Sequence, residues 1–343
     1  MLTKNVVSGI MDALMIRHWG IIHVNEALRN APRHFNVNNS ILDAPFNQDV
    51  TVIAVAFPYS NNEMSAEKLG DFGRIEPFAW QFDYHKLVKD TLLSLKESIE
   101  TKLDSVLSKV EYHVDTSPYN DREVAFLAGL GRIGYNHLLI NSHYGSYFFI
   151  GYLLIKDSIE IEKEAYVDIS NLPKDLAHPM CAVCKKCLSA CPTSVCGIPE
   201  VDMNSCLSSL TQTRDEIPTE LRIKFGKTLY GCSLCQKVCP LNQHLSSPQN
   251  LKIVSDNWID LFNLLDMDSI KFKENYGNMG FAWKKLWIYQ RNALIVLSNI
   301  GDARTLEQLR LRSHLEKSPM LSAYYKWTVD SLSKKISEQF ETI

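Results

Sequence analysis

The feature that most constrains this chain is a run of cysteines between Cys181 and Cys239, which contains all nine cysteines of the sequence. Its first part has the pattern C-x2-C-x2-C-x3-C-P and ends at Cys191-Pro192. Its second part lacks the first cysteine of that pattern and ends at Cys239-Pro240. Such runs hold the clusters of bacterial two-cluster ferredoxins. The sequence therefore predicts two [4Fe–4S] clusters.

The spacing also predicts which cysteines share a cluster. Three cysteines at x2 intervals wrap one cluster, and the fourth ligates the other cluster. This rule assigns one cluster to Cys181, Cys184, Cys187 and Cys239, and the other to Cys191, Cys206, Cys232 and Cys235. Cys206 replaces the missing first cysteine of the second run. Cys196 is left over and has no basic neighbour, so it is expected to be a small buried apolar side chain.

Two other uses of clustered cysteines are less consistent with this pattern. Zinc also binds C-x2-C pairs, but it needs four ligands per site and has no use for two C-x3-C-P runs. Disulfide geometry does not suit such tightly spaced cysteines. The iron–sulfur interpretation is therefore favoured over both.

Composition indicates an ordinary globular protein of two or three domains, with 45% hydrophobic and 22% charged residues in 343. No apolar run is long enough to span a membrane, and no leader pattern is visible at the N-terminus. Reduced thiols in ligand spacing favour a cytoplasmic location. Net charge is −3, but residues 271–343 hold twelve Lys and Arg against seven Asp and Glu. On charge alone, solvated helix faces explain this segment better than a polyanionic partner does.

Hydrophobic patterning predicts a mixed α/β first half. Helical spacing covers residues 4–30, with an interruption near Trp19, and a helix from Asp83 to about Leu103 should bury Leu87, Leu92, Leu95 and Ile99. Buried strands are expected at 51–57, 110–114, 137–141 and 147–155, a loop at 60–76, and a helix at 119–127 that begins after Pro118. Beyond about residue 250 the pattern is helical, with helices at 283–300, 303–314 and 320–340.

One motif is set aside. Gly129-Leu-Gly131-Arg-Ile-Gly134 matches G-x-G-x-x-G, but a dinucleotide site needs a strand before it, a helix after it and an acidic residue about 20 positions on. Here a predicted helix precedes the glycines and a strand follows them. A glycine-rich loop against a flat cofactor, or a tight turn, is the better interpretation.

Asp115 is the candidate for proton chemistry, because it follows a predicted strand in the sequence Val-Asp-Thr-Ser-Pro. A capping or turn aspartate is equally compatible with those residues. From the residues alone, the capping or turn role is favoured.

Several segments in order resemble the epoxyqueuosine reductase family, cobalamin-dependent enzymes of the last step of queuosine biosynthesis in tRNA. They cover most of the chain from about residue 50. The matching segments are Asp83-Tyr84-His85-Lys86, Val114–Pro118 with Arg122, Ala128–Gly131, Gly145-Ser146, the cysteine region with Cys206-Leu207-Ser208, Ile217-Pro218 and Tyr230-Gly231-Cys232, and the helices from Trp283 with Arg291-Asn292.

The resemblance implies three domains: a nitroreductase-like α/β domain for cobalamin at 1–172, a ferredoxin-like two-cluster domain at 173–249, and a helical HEAT-like domain at 250–343. It implies that Asp115 is the proton donor and touches the cofactor. It also implies corrinoid contacts from Ser208, Cys232 and Ser233, and from the backbone of Leu139 and Ile150. The clusters would reduce cobalt to Co(I) with electrons from an external low-potential donor.

The resemblance further implies that the helical C-terminal region helps to bind a tRNA anticodon stem-loop, which would give its positive charge a purpose. No Asp-x-His-x-x-Gly is present, so a histidine ligand to cobalt is not expected, and His85 is predicted to be structural.

The chain departs from the family at several pocket segments. Phe78–Phe82 lacks the family's arginine, Gly131–Tyr135 replaces its Gly-Trp-x-Gly-Lys, and Gly151-Tyr152 replaces its Gly-Glu. Two alternatives therefore stay open: a related corrinoid reductase of a small substrate, and an electron-transfer module without chemistry of its own.

Overall fold

The computed structural model describes residues 1–30, 38–60, 67–168, 177–197, 202–243, 256–315 and 318–341. Its strands are β1 (Trp19–Val24), β2 (Val50–Pro58), β3 (Phe72–Ile75), β4 (Val110–His113), β5 (Arg132–Ile133), β6 (Leu139–Ile140), β7 (Phe148–Ile155), β8 (Thr228–Tyr230) and β9 (Trp258–Asp260).

The helices are α1 (Lys4–Ala13), α2 (Glu26–Arg29), α3 (Tyr84–Leu103), α4 (Asp121–Leu127), α5 (Pro179–Cys184), α6 (Lys186–Ala190), α7 (Leu207–Leu210), α8 (Thr219–Arg222), α9 (Leu234–Lys237), α10 (Leu261–Leu265), α11 (Ser269–Tyr276), α12 (Leu286–Ile300), α13 (Ala303–Ser313) and α14 (Pro319–Glu341). No helix within these ranges combines the length and apolar character that crossing a bilayer requires.

The first half of the chain is built on a four-stranded antiparallel sheet in the order β1-β2-β7-β4. Alternate residues of β2 face opposite sides, so Val52 and Ala54 pack with α4, while Ile53 and Val55 pack with α1 and α3. Burial on both faces explains why this strand is a continuous apolar run rather than an alternating one.

A second core joins segments that are distant in sequence. Strand β3 pairs in parallel with β8 and antiparallel with β9, and its Ile75 packs with apolar side chains of α7, α10, α12 and α14. The strand therefore leaves the first half of the chain and packs with the helices that follow the cysteines. The predicted domain boundaries at 172/173 and 249/250 lie outside the described residues.

Several sequence predictions need correction. Residues 72–75 form a strand where a loop was expected, β1 replaces the helical pattern after Trp19, and β9 precedes the C-terminal helices. Leu87 is exposed on α3, and Val88 takes its place in the core with Leu92, Leu95 and Ile99. Val88 lies four residues before Leu92 and seven before Leu95, which is the spacing of one helix face, whereas Leu87 lies five residues before Leu92 and falls outside that face.

The G-x-G-x-x-G segment is a tight turn. Gly129 follows α4 with a φ of +72°, which is a left-handed conformation that glycine adopts without strain. A Cβ on Gly131 would lie 2.4 Å from the carbonyl oxygen of Ile140, so the small residue permits close approach of two chain segments. Strand β5 follows, and no helix begins at this described turn, which agrees with the rejection of a dinucleotide site.

Candidate active site

A cleft lies where the four-stranded sheet meets the cysteine segment. It encloses about 1150 Å³, including the space toward solvent. Its walls are largely apolar and aromatic, with polar side chains at a few points. The sheet side contributes Tyr59, Tyr84, Asp115, Phe148 and Phe149, and the cysteine side contributes Cys191, Cys196, Cys206, Ser208, Cys232 and Cys235.

The nine cysteines divide between two places. Cys181, Cys184, Cys187 and Cys239 line one small cavity together with Tyr135 and Ile140. The other five line the large cleft, and all nine, each within the described ranges, are free of disulfides. The two sets are those that the crossing rule predicts, apart from Cys196. Their coordination of iron stays a prediction.

Cys196 is half-buried in the cleft wall rather than in an apolar core. Hydrogen bonding to Cys235, burial and the neighbouring thiol of Cys191 all raise the pKa of its thiol. The expectation of a small buried apolar side chain is therefore wrong, because the chain after Pro192 turns back along the cleft.

Asp115 projects into the cleft from a bend that follows β4. Its φ of +53° is unusual for a residue with a side chain. The helix expected at residue 119 begins at Asp121, and Asn120 caps it by accepting a hydrogen bond from the Glu123 amide at 3.1 Å. Asp115 is therefore not a helix cap, and its carboxylate, 45% exposed, faces the cleft.

Tyr84 fixes the Asp115 carboxylate. Its hydroxyl donates a hydrogen bond to Asp115 Oδ2. Its ring is stacked on Phe149, with centroids 3.6 Å apart and planes inclined by 1°. Burial and the charge of Asp115 raise the pKa of Tyr84, so the phenol remains a donor throughout the physiological range.

His85 connects this carboxylate to a second one. Its Nε2 lies 3.6 Å from Asp115 Oδ2, and its Nδ1 lies 2.7 Å from Asp83 Oδ1. Asp83 also caps α3 by accepting from the His85 amide. The N-terminus of α3 therefore holds the imidazole between the carboxylates of Asp83 and Asp115. The prediction that His85 is structural had not placed it next to the candidate proton donor Asp115.

A third carboxyl group, that of Asp121, lies near Asp115. Tyr152, which replaces the family's glutamate, donates a hydrogen bond to Asp121 Oδ1 at 3.1 Å and contacts the Ser117 hydroxyl. Burial raises the pKa of Asp121 to about 6, and the charge of Asp115 adds to this shift. Ionisation of Asp121 is therefore unfavourable next to the Asp115 carboxylate.

A buried carboxylate ties β3 to the cysteine segment. Glu76 is fully buried, and its Oε1 lies 2.8 Å from Arg74 Nη2. Its Oε2 accepts a hydrogen bond from Ser233 and lies 3.7 Å from Lys237 Nζ. These contacts fix the chain immediately after Cys232.

A buried amide network fixes the opposite side of the same segment. Gln236 Nε2 donates to the hydroxyl oxygens of Tyr59 and Ser146, each at 3.1 Å. Asn242 donates to Ser146 Oγ at 2.9 Å and accepts from the Ser146 amide at 2.8 Å. Buried amides require such partners, so the network specifies how the cysteine segment sits on the sheet.

The structure brings together only part of the predicted corrinoid set. Asp115, Ser208 and Cys232 line the cleft. Leu139 is buried in the core, Ile150 lies in β7, and Ser233 lines an adjacent cavity with its hydroxyl bonded to Glu76. Their contact with a corrinoid stays a prediction.

Sequence reasoning missed Phe149, Glu76 and Gln236, and it gave Tyr84 no role. Only Tyr84 carried a usable signal, because it stands next to the conspicuous Asp83 and His85. The other three acquire their positions through contacts between segments that lie far apart in the sequence.

Two family models match the chain. Residues 43–116 match the family described as epoxyqueuosine reductase QueG, DUF1730, and residues 180–242 match a 4Fe-4S double cluster binding domain. The second match confirms the prediction of two [4Fe–4S] clusters and removes zinc and disulfides as alternatives.

Individual relatives agree with these matches. An epoxyqueuosine reductase of Staphylococcus aureus is 30% identical over 92% of this chain and 78% of its own length. The solved structure of epoxyqueuosine reductase from Streptococcus thermophilus is similar with a TM-score of 0.77, 28% identity, and coverage of 96% of this chain and 90% of that one. A third structure, an epoxyqueuosine reductase with an epoxyqueuosine-modified tRNA-Tyr stem loop, shares the fold at a TM-score of 0.72 and 23% identity, and covers 96% and 98%.

Proposed function

Because the chain belongs to the epoxyqueuosine reductase family, we propose that it reduces epoxyqueuosine in tRNA to queuosine. One observation carries the proposal at the level of the site. The candidate proton donor Asp115 and the cysteines of one predicted cluster line the same cleft. An epoxide held there would have a source of electrons on one side and a source of protons on the other.

The cleft fits cobalamin, the cofactor of this family. It is large, its walls are mostly apolar, and it opens toward solvent, as a flat and bulky macrocycle requires. Ser208 and Cys232 would contact the corrinoid from the cysteine side, and Asp115 would face it. Bound cobalamin would supply a strong nucleophile or reductant at the epoxide carbon.

We assign Cys181, Cys184, Cys187 and Cys239 to one cluster and Cys191, Cys206, Cys232 and Cys235 to the other. Each cluster supplies one electron at a time, and loss of the epoxide oxygen as water consumes two electrons and two protons. Because Cys232 lines the cleft, the second cluster is the one nearer to the substrate. An external low-potential electron donor would reduce both clusters again.

Asp115 would give a proton to the oxygen as the carbon–oxygen bond breaks. The Tyr84 hydroxyl orients this carboxyl group. His85, between Asp83 and Asp115, is placed to return a proton from solvent after each turnover. These roles belong to side chains already held in place by α3 and by the stacked rings.

Finer aspects of the fold and cellular context follow from the same family. We assign the first domain to the nitroreductase-like class and the C-terminal helices to the HEAT-like class. We also place the protein in the cytoplasm with tRNA as its macromolecular partner. Helix α14 packs against both α12 and α13. Its Thr328 donates to the Leu294 carbonyl and its Lys335 to the Asn299 carbonyl, so α14 runs parallel to α12 rather than antiparallel to it.

The test uses the full chain, purified anaerobically and supplied with cobalamin, a chemical reductant and an anticodon stem-loop that carries epoxyqueuosine. Wild-type protein is expected to perturb the corrinoid absorption bands and to convert the nucleoside to queuosine, as read by mass spectrometry. The D115N variant should keep its iron and the spectral change but lose turnover. An electron-transfer module would show neither the spectral change nor conversion, and that result would remove the proposal.

A further inference from the structure

An exposed tryptophan stands close to the cleft. Trp283, in the segment between α11 and α12, is 61% exposed. Its indole N–H nevertheless donates a 2.7 Å hydrogen bond to the hydroxyl of Tyr230, which donates in turn to Gln212 Oε1 at 2.9 Å. A large apolar ring that is exposed and yet held at its edge is suited to receive a ligand on its face.

Tyr230 links this ring to the active site. It is buried at the end of β8, two residues before Cys232, and Phe78 of the cleft wall packs against the intervening Gly231. Burial raises the pKa of Tyr230, the hydrogen bond from Trp283 lowers it, and the charge of Asp115 raises it further. Trp283 is therefore hydrogen-bonded to a residue that stands two positions before Cys232 of the cleft wall.

Positive charge lies next to the ring. The Lys284 ammonium lies 3.7 Å from the Trp283 ring centroid, and Lys285 follows it before α12. Burial and then the nearby charge of Arg214 lower the pKa of Lys284. Within the described part of the chain, none of these three cations forms an ion pair with a carboxylate. A polyanion would relieve the repulsion between them.

An aromatic face next to unpaired cations fits a nucleotide of single-stranded RNA. Unstacked loop bases stack on aromatic side chains, and their phosphates bind lysine and arginine. Resting on the proposed function, we propose that Trp283 stacks a base adjacent to the modified nucleotide, while Lys284, Lys285 and Arg214 contact the RNA backbone. Lys284 covers one face of the indole, so the base stacks on the other face.

The test measures binding of an unmodified anticodon stem-loop with 2-aminopurine beside the position that carries the modification. Stacking on Trp283 should quench its fluorescence in wild-type protein. The W283A variant is expected to lose most of the quenching and to bind about 5- to 100-fold more weakly. The L311A variant, which removes a comparably exposed apolar side chain from α13, serves as the matched control.

Two further variants separate stacking from a structural role. W283F should retain most of the binding because it keeps an aromatic face. K284A should lower the salt dependence of log K by about 0.7, whereas K334A on α14 should not change it. Iron content and the corrinoid spectrum should be unchanged in all five variants.

If W283A binds and quenches as L311A does, the inference is wrong, while conversion of the modified stem-loop by wild-type protein would still support the proposed function. A W283F variant as weak as W283A, with both cofactors intact, would also overturn stacking. If wild-type protein neither binds the stem-loop nor converts it, the proposed function fails and this inference fails with it.

Discussion

Replacing Glu76 by glutamine tests the buried link between β3 and the cysteine segment. The substitution keeps the shape of the side chain and an acceptor for Ser233, but it removes the charge that faces Arg74 and Lys237. Breaking a fully buried ion pair costs about 3–5 kcal/mol. Arg74 and Lys237 are 24% and 27% exposed, so water screens part of that loss. We expect E76Q to lower the free energy of unfolding by about 2 kcal/mol.

The assay is anaerobic thermal unfolding of the cluster-loaded protein, followed by tryptophan fluorescence, with iron measured before and after. For a chain of this size the expected loss corresponds to a decrease in Tm of about 3–6 °C. The matched control is E67Q, because Glu67 forms an ion pair with Lys227 at 2.8 Å but is mostly exposed. An exposed pair of this kind contributes little to stability, so E67Q should unfold as wild type does.

An E76Q variant that unfolds within 1 °C of E67Q would refute the reasoning, since it would mean that the charge of Glu76 contributes no more than a surface carboxylate. Early loss of iron in E76Q at a temperature where E67Q keeps it would support the further point that this link holds the chain around Cys232.

Three further predictions concern the site. D115N should reduce turnover by about 10²–10⁴-fold with iron content unchanged, as measured under single-turnover conditions; turnover within threefold of wild type would remove its assigned role. Asp121 has a pKa raised to about 6 from an ordinary 3.8, so the folded protein holds the proton more tightly. The free energy of unfolding should therefore fall, by at most about 1.4 kcal/mol per unit, as pH rises from about 4 to 6. Urea midpoints at pH 4.5 and 6.5 should show this fall in wild type and a smaller one in D121N, and equal falls would contradict the assignment. C181S and C239S should each lose the same cluster, about four of eight irons, whereas C191S should lose the other; distinct electron paramagnetic resonance spectra for C181S and C239S would contradict the crossing rule.

The cysteine framework was predictable because ligand spacing is a local property of the sequence. The buried strand β2 and helix α3 were predictable for a similar reason, since apolar periodicity records which faces are covered. Leu87 was misassigned although the periodicity distinguishes it from Val88. Val88 lies four residues before Leu92 and seven before Leu95, so the helical pattern already places Val88 on the buried face and Leu87 beside it.

The active site was predictable only where the sequence concentrates polar residues. Asp115 could be identified as a candidate, but the residues alone favoured a cap or turn. Its position depends on a left-handed bend and on Asn120 as the true cap. Glu76 and Gln236 could not have been identified, because the contacts that join them to the other side of the cleft are made with residues more than 80 positions away in the chain.

The pairing of β3 has a consequence for how this protein is made. Its neighbour β8 is synthesised about 150 residues later, and β9 later still. At typical ribosomal rates of about 5–20 residues per second, β3 waits roughly 8–30 seconds with both of its edges unpaired. Six of the nine cysteines emerge before β8, and Cys232, Cys235 and Cys239 emerge between β8 and β9. Iron loading and closure of the second core are therefore expected to compete in the nascent chain. A shortage of iron at that stage would leave β3 with unpaired edges that can pair with another chain and cause aggregation.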